Sequence, residues 1–102
     1  MHKQLHSDYY EGKIQIRPYH QEIMNFIENQ ARKYDIYISK QVKVKEGIDI
    51  YVSSNKFARI VGKKLKKSYN GELKESKKLF GKDRMSSKNL YRVTVCFRLK
   101  NE

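Results

Sequence analysis

With 102 residues, 38% of them hydrophobic and 33% charged, the chain has the size of one domain with a thin core. No apolar run approaches the roughly 18 residues of a membrane span, and the opening Met1-His2-Lys3-Gln4-Leu5-His6 lacks the h-region of a secretory signal. The single cysteine, Cys96, excludes an internal disulfide and fits a reducing, cytoplasmic compartment. The net charge of +12 is one-sided: residues 1–55 carry 8 Lys/Arg against 7 Asp/Glu, and residues 56–102 carry 15 against 4. A field this asymmetric favours a polyanion, either nucleic acid or an anionic membrane surface.

Residues 1–8 lack periodicity and read as a loose tail, leaving 9–100 as a single domain. From Tyr9 to Arg17 the even positions Tyr10, Gly12, Ile14 and Ile16 alternate with polar ones, the period of a half-buried strand. Pro18 closes that strand and suits a helix start. Ile23, Phe26, Ile27, Ala31 and Tyr34 then recur at helical spacing between Tyr19 and Tyr34, with Glu28 and Arg32 as an i,i+4 pair on the wet face.

Ile36, Ile38, Val42 and Val44 share one parity and mark a second strand, which a bulge near Lys40 would interrupt. After the Lys45-Glu46-Gly47 turn, Ile48, Ile50 and Val52 form a third, antiparallel to the second. Ser53 and Ser54 offer hydroxyls to a helix start, and Phe57, Ala58, Val61 and Leu65 supply its apolar stripe to about Tyr69. Asn70-Gly71 reads as the helix stop. A fourth strand runs from Glu72 to Leu79, a polar hairpin loop from Gly81 to Asn89, and a fifth strand from Leu90 to Leu99. The order β-α-β-β-α-β-β predicts an α+β fold: a two-layer, ferredoxin-like split β-α-β sandwich with an added hairpin strand. Two helices cover one face of a mainly antiparallel sheet.

The opposite face is then open to solvent, and parity places Tyr9, Lys13, Gln15, Arg17, Tyr37, Lys43, Tyr51, Arg92, Thr94 and Arg98 on it. Tyrosines beside arginines on an open sheet make a stacking platform for bases, each stack contributing about 1–3 kcal/mol. Tyrosine also has high strand propensity and fills half-buried surface without any ligand. A second surface is more basic. Lys63, Lys64, Lys66 and Lys67 on the second helix, Lys74, Lys77 and Lys78 on the fourth strand, and Lys82, Arg84 and Lys88 in the hairpin are expected to line one edge and neutralise phosphates. A lysine-rich helix face is often only a solvated face.

The remaining residues suggest no catalytic constellation. His2 and His6 have helical ligand spacing, but one distant cysteine makes a poor zinc set. Cys96 reads as a strand residue, with Arg92 and Arg98 beside it. Asp49 and Glu75 are placed to meet across strands, yet in a basic setting they suit ion pairs better than acid–base work. Arg17-Pro18 lacks the glycine-rich anion loop of an acylphosphatase, and no glycine pattern makes a phosphate loop. No enzyme, cofactor or metal site is expected.

Three segments taken together are more specific. Gly47-Ile48-Asp49-Ile50-Tyr51-Val52-Ser53-Ser54, Lys74-Glu75-Ser76-Lys77-Lys78-Leu79 and Leu90-Tyr91-Arg92-Val93-Thr94-Val95 resemble the middle region of the nonsense-mediated-decay protein three family, the export adaptor of the large ribosomal subunit. Tyr9-Tyr10-Glu11-Gly12-Lys13-Ile14-Gln15-Ile16-Arg17 is similar to the strand that opens that region, particularly in archaeal members. The resemblance spans about Asp8 to Leu99. It implies a role in late assembly or quality control of the large subunit, with ribosomal RNA and ribosomal proteins as partners. It also implies a domain likened to a small ribosomal protein. Family members carry paired Cys-x-x-Cys zinc motifs before this region and β-rich modules after it. With Cys96 alone, metal binding and nuclear-export signalling are not carried over, and the chain is either an excised domain or a stand-alone relative. The expected function is a non-enzymatic, monomeric RNA-binding domain. The alternative is a protein–protein module docking on a ribosomal protein or other acidic partner.

Overall fold

The computed structural model describes residues 9–82, 85 and 87–100. In chain order they form β1 (Gly12–Arg17), α1 (Gln21–Lys33), β2 (Ile38–Val44), β3 (Gly47–Val52), α2 (Asn55–Ser68), β4 (Gly71–Lys82) and β5 (Asn89–Leu99), the element order that the periodicities predict. Both helices start at caps the sequence supplies. His20 Nδ1 accepts from Ile23 N at 3.4 Å, and Ser54 Oγ accepts from Phe57 N at 3.0 Å. Ser53 caps no helix. Its hydroxyl accepts from Tyr37 N and ties the entry of β2 to the exit of β3.

The strands form one five-stranded mixed sheet, ordered β2-β3-β1-β5-β4. In the first half, β3 is inserted between β1 and β2, as a split β-α-β unit requires. In the second half, β5 lies beside β1 and parallel to it, and β4 takes the outer edge. Composition explains the exchange. Val93, Val95 and Phe97 of β5 are fully buried, whereas β4 carries Lys74, Glu75, Lys77 and Lys78 in exposed positions. An apolar strand belongs inside a sheet, and lysines on a border strand discourage pairing with other chains. The apolar parity of β1, β3 and β5 joins Ile23, Met24, Ile27 and Ala31 of α1 and Phe57, Ala58, Val61 and Leu65 of α2 in one core. Two helices on one face of the sheet make an α+β, two-layer sandwich.

Three local expectations are corrected. The ladder between β2 and β3 pairs Ile38 with Val52 and then Lys40 with Tyr51, so a bulge falls at Ser39. Beyond the bulge the alternation is inverted. Val42 pairs with Asp49 on the open side and is 38% exposed, while Lys43 pairs with Ile48 and carries its ammonium over the Tyr19 ring. Lys43 therefore leaves the open face and Lys40 replaces it. The helix does stop before Asn70-Gly71, but no glycine among the described residues has a positive φ. Gly71 is needed for space: a Cβ there would lie 2.5 Å from the Phe97 ring and 2.6 Å from Arg98 O. Nor do Glu28 and Arg32 pair among the described residues. Arg32 donates to Asn29, and Glu28 accepts from Gln41 of β2.

Candidate nucleic-acid interface

The open face divides into two territories. On the β3–β1 side, Arg17 Nη2 donates to Asp49 Oδ1 at 2.7 Å, and Arg17 Nη1 donates to the carbonyls of Ile16 (3.0 Å) and Ile48 (3.1 Å). Lys13 Nζ lies 3.8 Å from the other Asp49 oxygen. Asp49 is the sole buried charged residue among those described, and its carboxylate is matched by two cations. Pairing satisfies a charge that desolvation would otherwise penalise heavily. Arg17, expected on the open binding face, is committed to this internal cluster, and only 13% of its side chain is exposed.

Towards the start of β1, in a band that crosses the sheet from β2 to β4, cations meet aromatic rings. Tyr51 stands edge-on to Tyr10 at 4.8 Å, with Lys40 and Lys13 ammonium groups 4.9 and 5.3 Å from its centroid. The Arg92 guanidinium lies 4.1 Å from the Tyr10 ring and 4.4 Å from the Phe80 ring, and Arg92 Nε donates to Tyr10 O at 3.0 Å. A row of rings and cations thus runs from Lys40 on β2 to Phe80 on β4. Each such contact is worth about 0.5–1 kcal/mol where exposed. Near the same end Tyr9 donates its hydroxyl to Glu11, and burial first, then Glu11, pushes the phenol up to about 12 while Arg92 pulls it down.

Tyr10 and Phe80 were not among the sequence candidates. Alternation assigned Tyr10 to the helix side, but it precedes the first residue of β1 and turns its ring towards Tyr51 and Arg92. Phe80 is the extra residue where the β4–β5 register shifts between Leu79 and Gly81. Irregular positions defeat parity. The only available signal was an aromatic beside a glycine near a hairpin.

The edge set does not line one edge: it is spread over the open face, the helix side of β4, α2 and the hairpin. Lys74 and Lys78 pair with Cys96 and Arg92 on the open face, beside Arg98, which pairs with Glu72. Lys77 pairs with Val93 on the helix side and covers the Tyr91 ring at 4.7 Å. Lys66 reaches across to donate to Gly71 O, and Lys63 and Lys67 are exposed on α2. Lys64 turns the other way, to Gln30 Oε1 at 2.9 Å and the Tyr34 ring of α1. Lys82 and Lys88 are exposed near the tip of the hairpin, where Met85 is 94% exposed; Arg84 lies outside the described residues. Tyr37 is half-buried at the entry to β2.

Asp49 and Glu75 do not meet. Glu75 pairs in register with Val95 on the helix side, where Arg59 Nε lies 3.1 Å away, close enough for an ion pair but too bent for a hydrogen bond. Cys96 is half-buried in an open-face depression of about 460 Å³ that it shares with Gln15, Glu72, Lys74 and Arg98. Among the described residues, no three of His, Cys, Asp and Glu converge as metal ligands. His2 and His6 lie outside the described residues.

The family model described as NMD3, second domain, matches residues 9–99. The match takes in both helices and all five strands, and the chain belongs to this family. NMD3 proteins are ribosome-associated adaptors of the large subunit, a family not known for catalysis. No curated protein matches the chain.

Proposed function

We propose that this domain is a non-enzymatic, cytoplasmic RNA-binding module that contacts ribosomal RNA of the large subunit during late assembly or quality control. The observation that carries the reading is the row of rings and cations across the open sheet, Lys40, Tyr51, Tyr10, Arg92 and Phe80, with Lys78 beside it. Rings give bases a stacking surface, and the cations hold the backbone. Lys63, Lys66, Lys67, Lys74, Lys82 and Lys88 add a more diffuse field that positions the RNA without reading its sequence.

The test is binding of large-subunit RNA fragments as a function of salt. Neutralising six or more phosphates predicts an affinity that falls about 10³-fold or more between 50 and 200 mM salt. Reversing the charge of Lys63, Lys66, Lys67, Lys82 and Arg84 together should flatten that dependence. Salt-insensitive binding to purified ribosomal proteins, with no affinity for RNA, would replace this reading with the protein-docking one.

A further inference from the structure

We infer that Arg92, Lys78, Ser76 and Thr94 form a seat for a single phosphate group, with Arg92 as a pre-oriented hook. The inference deepens the RNA reading and rests on it for the natural source of the phosphate.

The Arg92 guanidinium is clasped between the Tyr10 and Phe80 rings, and its Nε–H is committed to Tyr10 O. Three contacts therefore fix its plane before any ligand arrives. A free arginine loses rotamer freedom when it binds; here the fold has already taken that loss. With Nε engaged inwards, the Nη pair at the tip presents the planar fork that matches two phosphate oxygens.

The surroundings suit an anion. Lys78 stands directly across from Arg92 in the β4–β5 register, and Ser76 stands across from Thr94 one step further along the same face. These side chains line a concavity of about 290 Å³. That lies just below the roughly 300–1,000 Å³ of small-molecule pockets and fits a phosphodiester link better than a cofactor. Among the described residues no carboxylate pairs with Arg92, whereas Asp49 neutralises Arg17 one strand away. Glu11 is occupied by the Tyr9 hydroxyl. From Ser76 to Lys100 the chain carries eight Lys and Arg and one carboxylate, Asp83.

The test is an NMR titration of the full chain with inorganic phosphate and, separately, with single-stranded hexauridylate. Both probes should shift the Arg92 Nε–H signal and the Ser76 and Thr94 amides, the oligonucleotide at lower concentration. Arg92→Lys keeps the charge but loses the fork and should weaken oligonucleotide binding about tenfold. Phe80→Leu keeps every charge and should weaken it severalfold by loosening the clasp. Thermal melting of both variants reports whether the fold is intact. Oligonucleotide binding that is unchanged in Arg92→Lys, or shifts confined to α2, would overturn the seat while leaving RNA binding standing. Phosphate seated at Arg92 with no affinity for large-subunit RNA would keep the seat and sink the RNA reading.

Discussion

Arg17 and Arg92 stand on the same face of one sheet, on adjacent strands, and do opposite work. Arg17 is drawn inwards by Asp49 and two backbone carbonyls, so its charge is spent inside the protein. Arg92 is held by two rings and one carbonyl, contacts that orient a guanidinium without cancelling it. A cation's use is decided by what holds it. Counting arginines on a face overstates the interface, because a carboxylate partner removes one and an aromatic partner preserves one.

The harshest way to break this contrast is Gly47→Ala, beneath the Arg17 cluster. Its Cβ would lie 1.9 Å from Ile16 O and 3.2 Å from Arg17 Cδ, so β1 and β3 must separate. A loss on the order of 3 kcal/mol or more is expected, read as a lowered urea midpoint. Asp49→Asn is subtler. It leaves Arg17 and Lys13 without a counter-charge in a mostly dry site and should cost about 2–3 kcal/mol of stability. RNA affinity measured on the folded variant should not fall. Arg92→Ala should show the reverse weighting: a stability loss of about 1–2 kcal/mol, smaller than that of Asp49→Asn, and RNA affinity down about tenfold. If both variants lose stability and affinity together, the division of labour is wrong.

Ser54→Ala calibrates the scale away from either arginine, since losing the α2 cap should cost about 1 kcal/mol by denaturant titration. The smallest effect concerns pH. Tyr9 ionises at about 12 against an ordinary value of 10.0, so its contribution to stability is complete below pH 10 and is lost as pH rises through about 12. Burial is the larger cause, so Glu11→Gln should lower the value only part of the way to 10.0. Arg92→Ala should raise it further. Absorbance of the phenolate during alkaline titration reads both changes.

Much of the layout was legible because it is local. Alternation in β1, β3 and β5 assigned the core side correctly at Ile14, Ile16, Ile48, Ile50, Val52, Val93, Val95 and Phe97. The apolar stripe of α2 follows from spacing alone, and the Ser53-Ser54 pair marks its start without saying which hydroxyl caps it. Strand neighbours are a different matter. Period two says which side a residue faces, never which strand lies alongside, so the insertion of β5 next to β1 was not legible. The sequence suggests a bulge near Lys40, but its consequence, the exchange of Lys43 for Lys40 on the open face, depends on the extra residue being Ser39. In the site, parity places Arg92 and Tyr51 on the open face, whereas Lys78 is expected only at the basic edge, together with Lys74 and Lys77. Partners such as Asp49 for Arg17 and Gln30 for Lys64 join positions more than 30 apart in sequence and needed coordinates.

The parallel pairing of β1 with β5 has a consequence for how the domain is made. Residues 12–17 acquire their second neighbour only from residues 93–98, the last of the five strands to leave the ribosome. Until then Ile14 and Ile16 lie on a strand with a bare flank, and the nascent chain holds an unfinished sheet. Closure waits for nearly the whole domain to be synthesised, a long-range contact of the kind that slows folding.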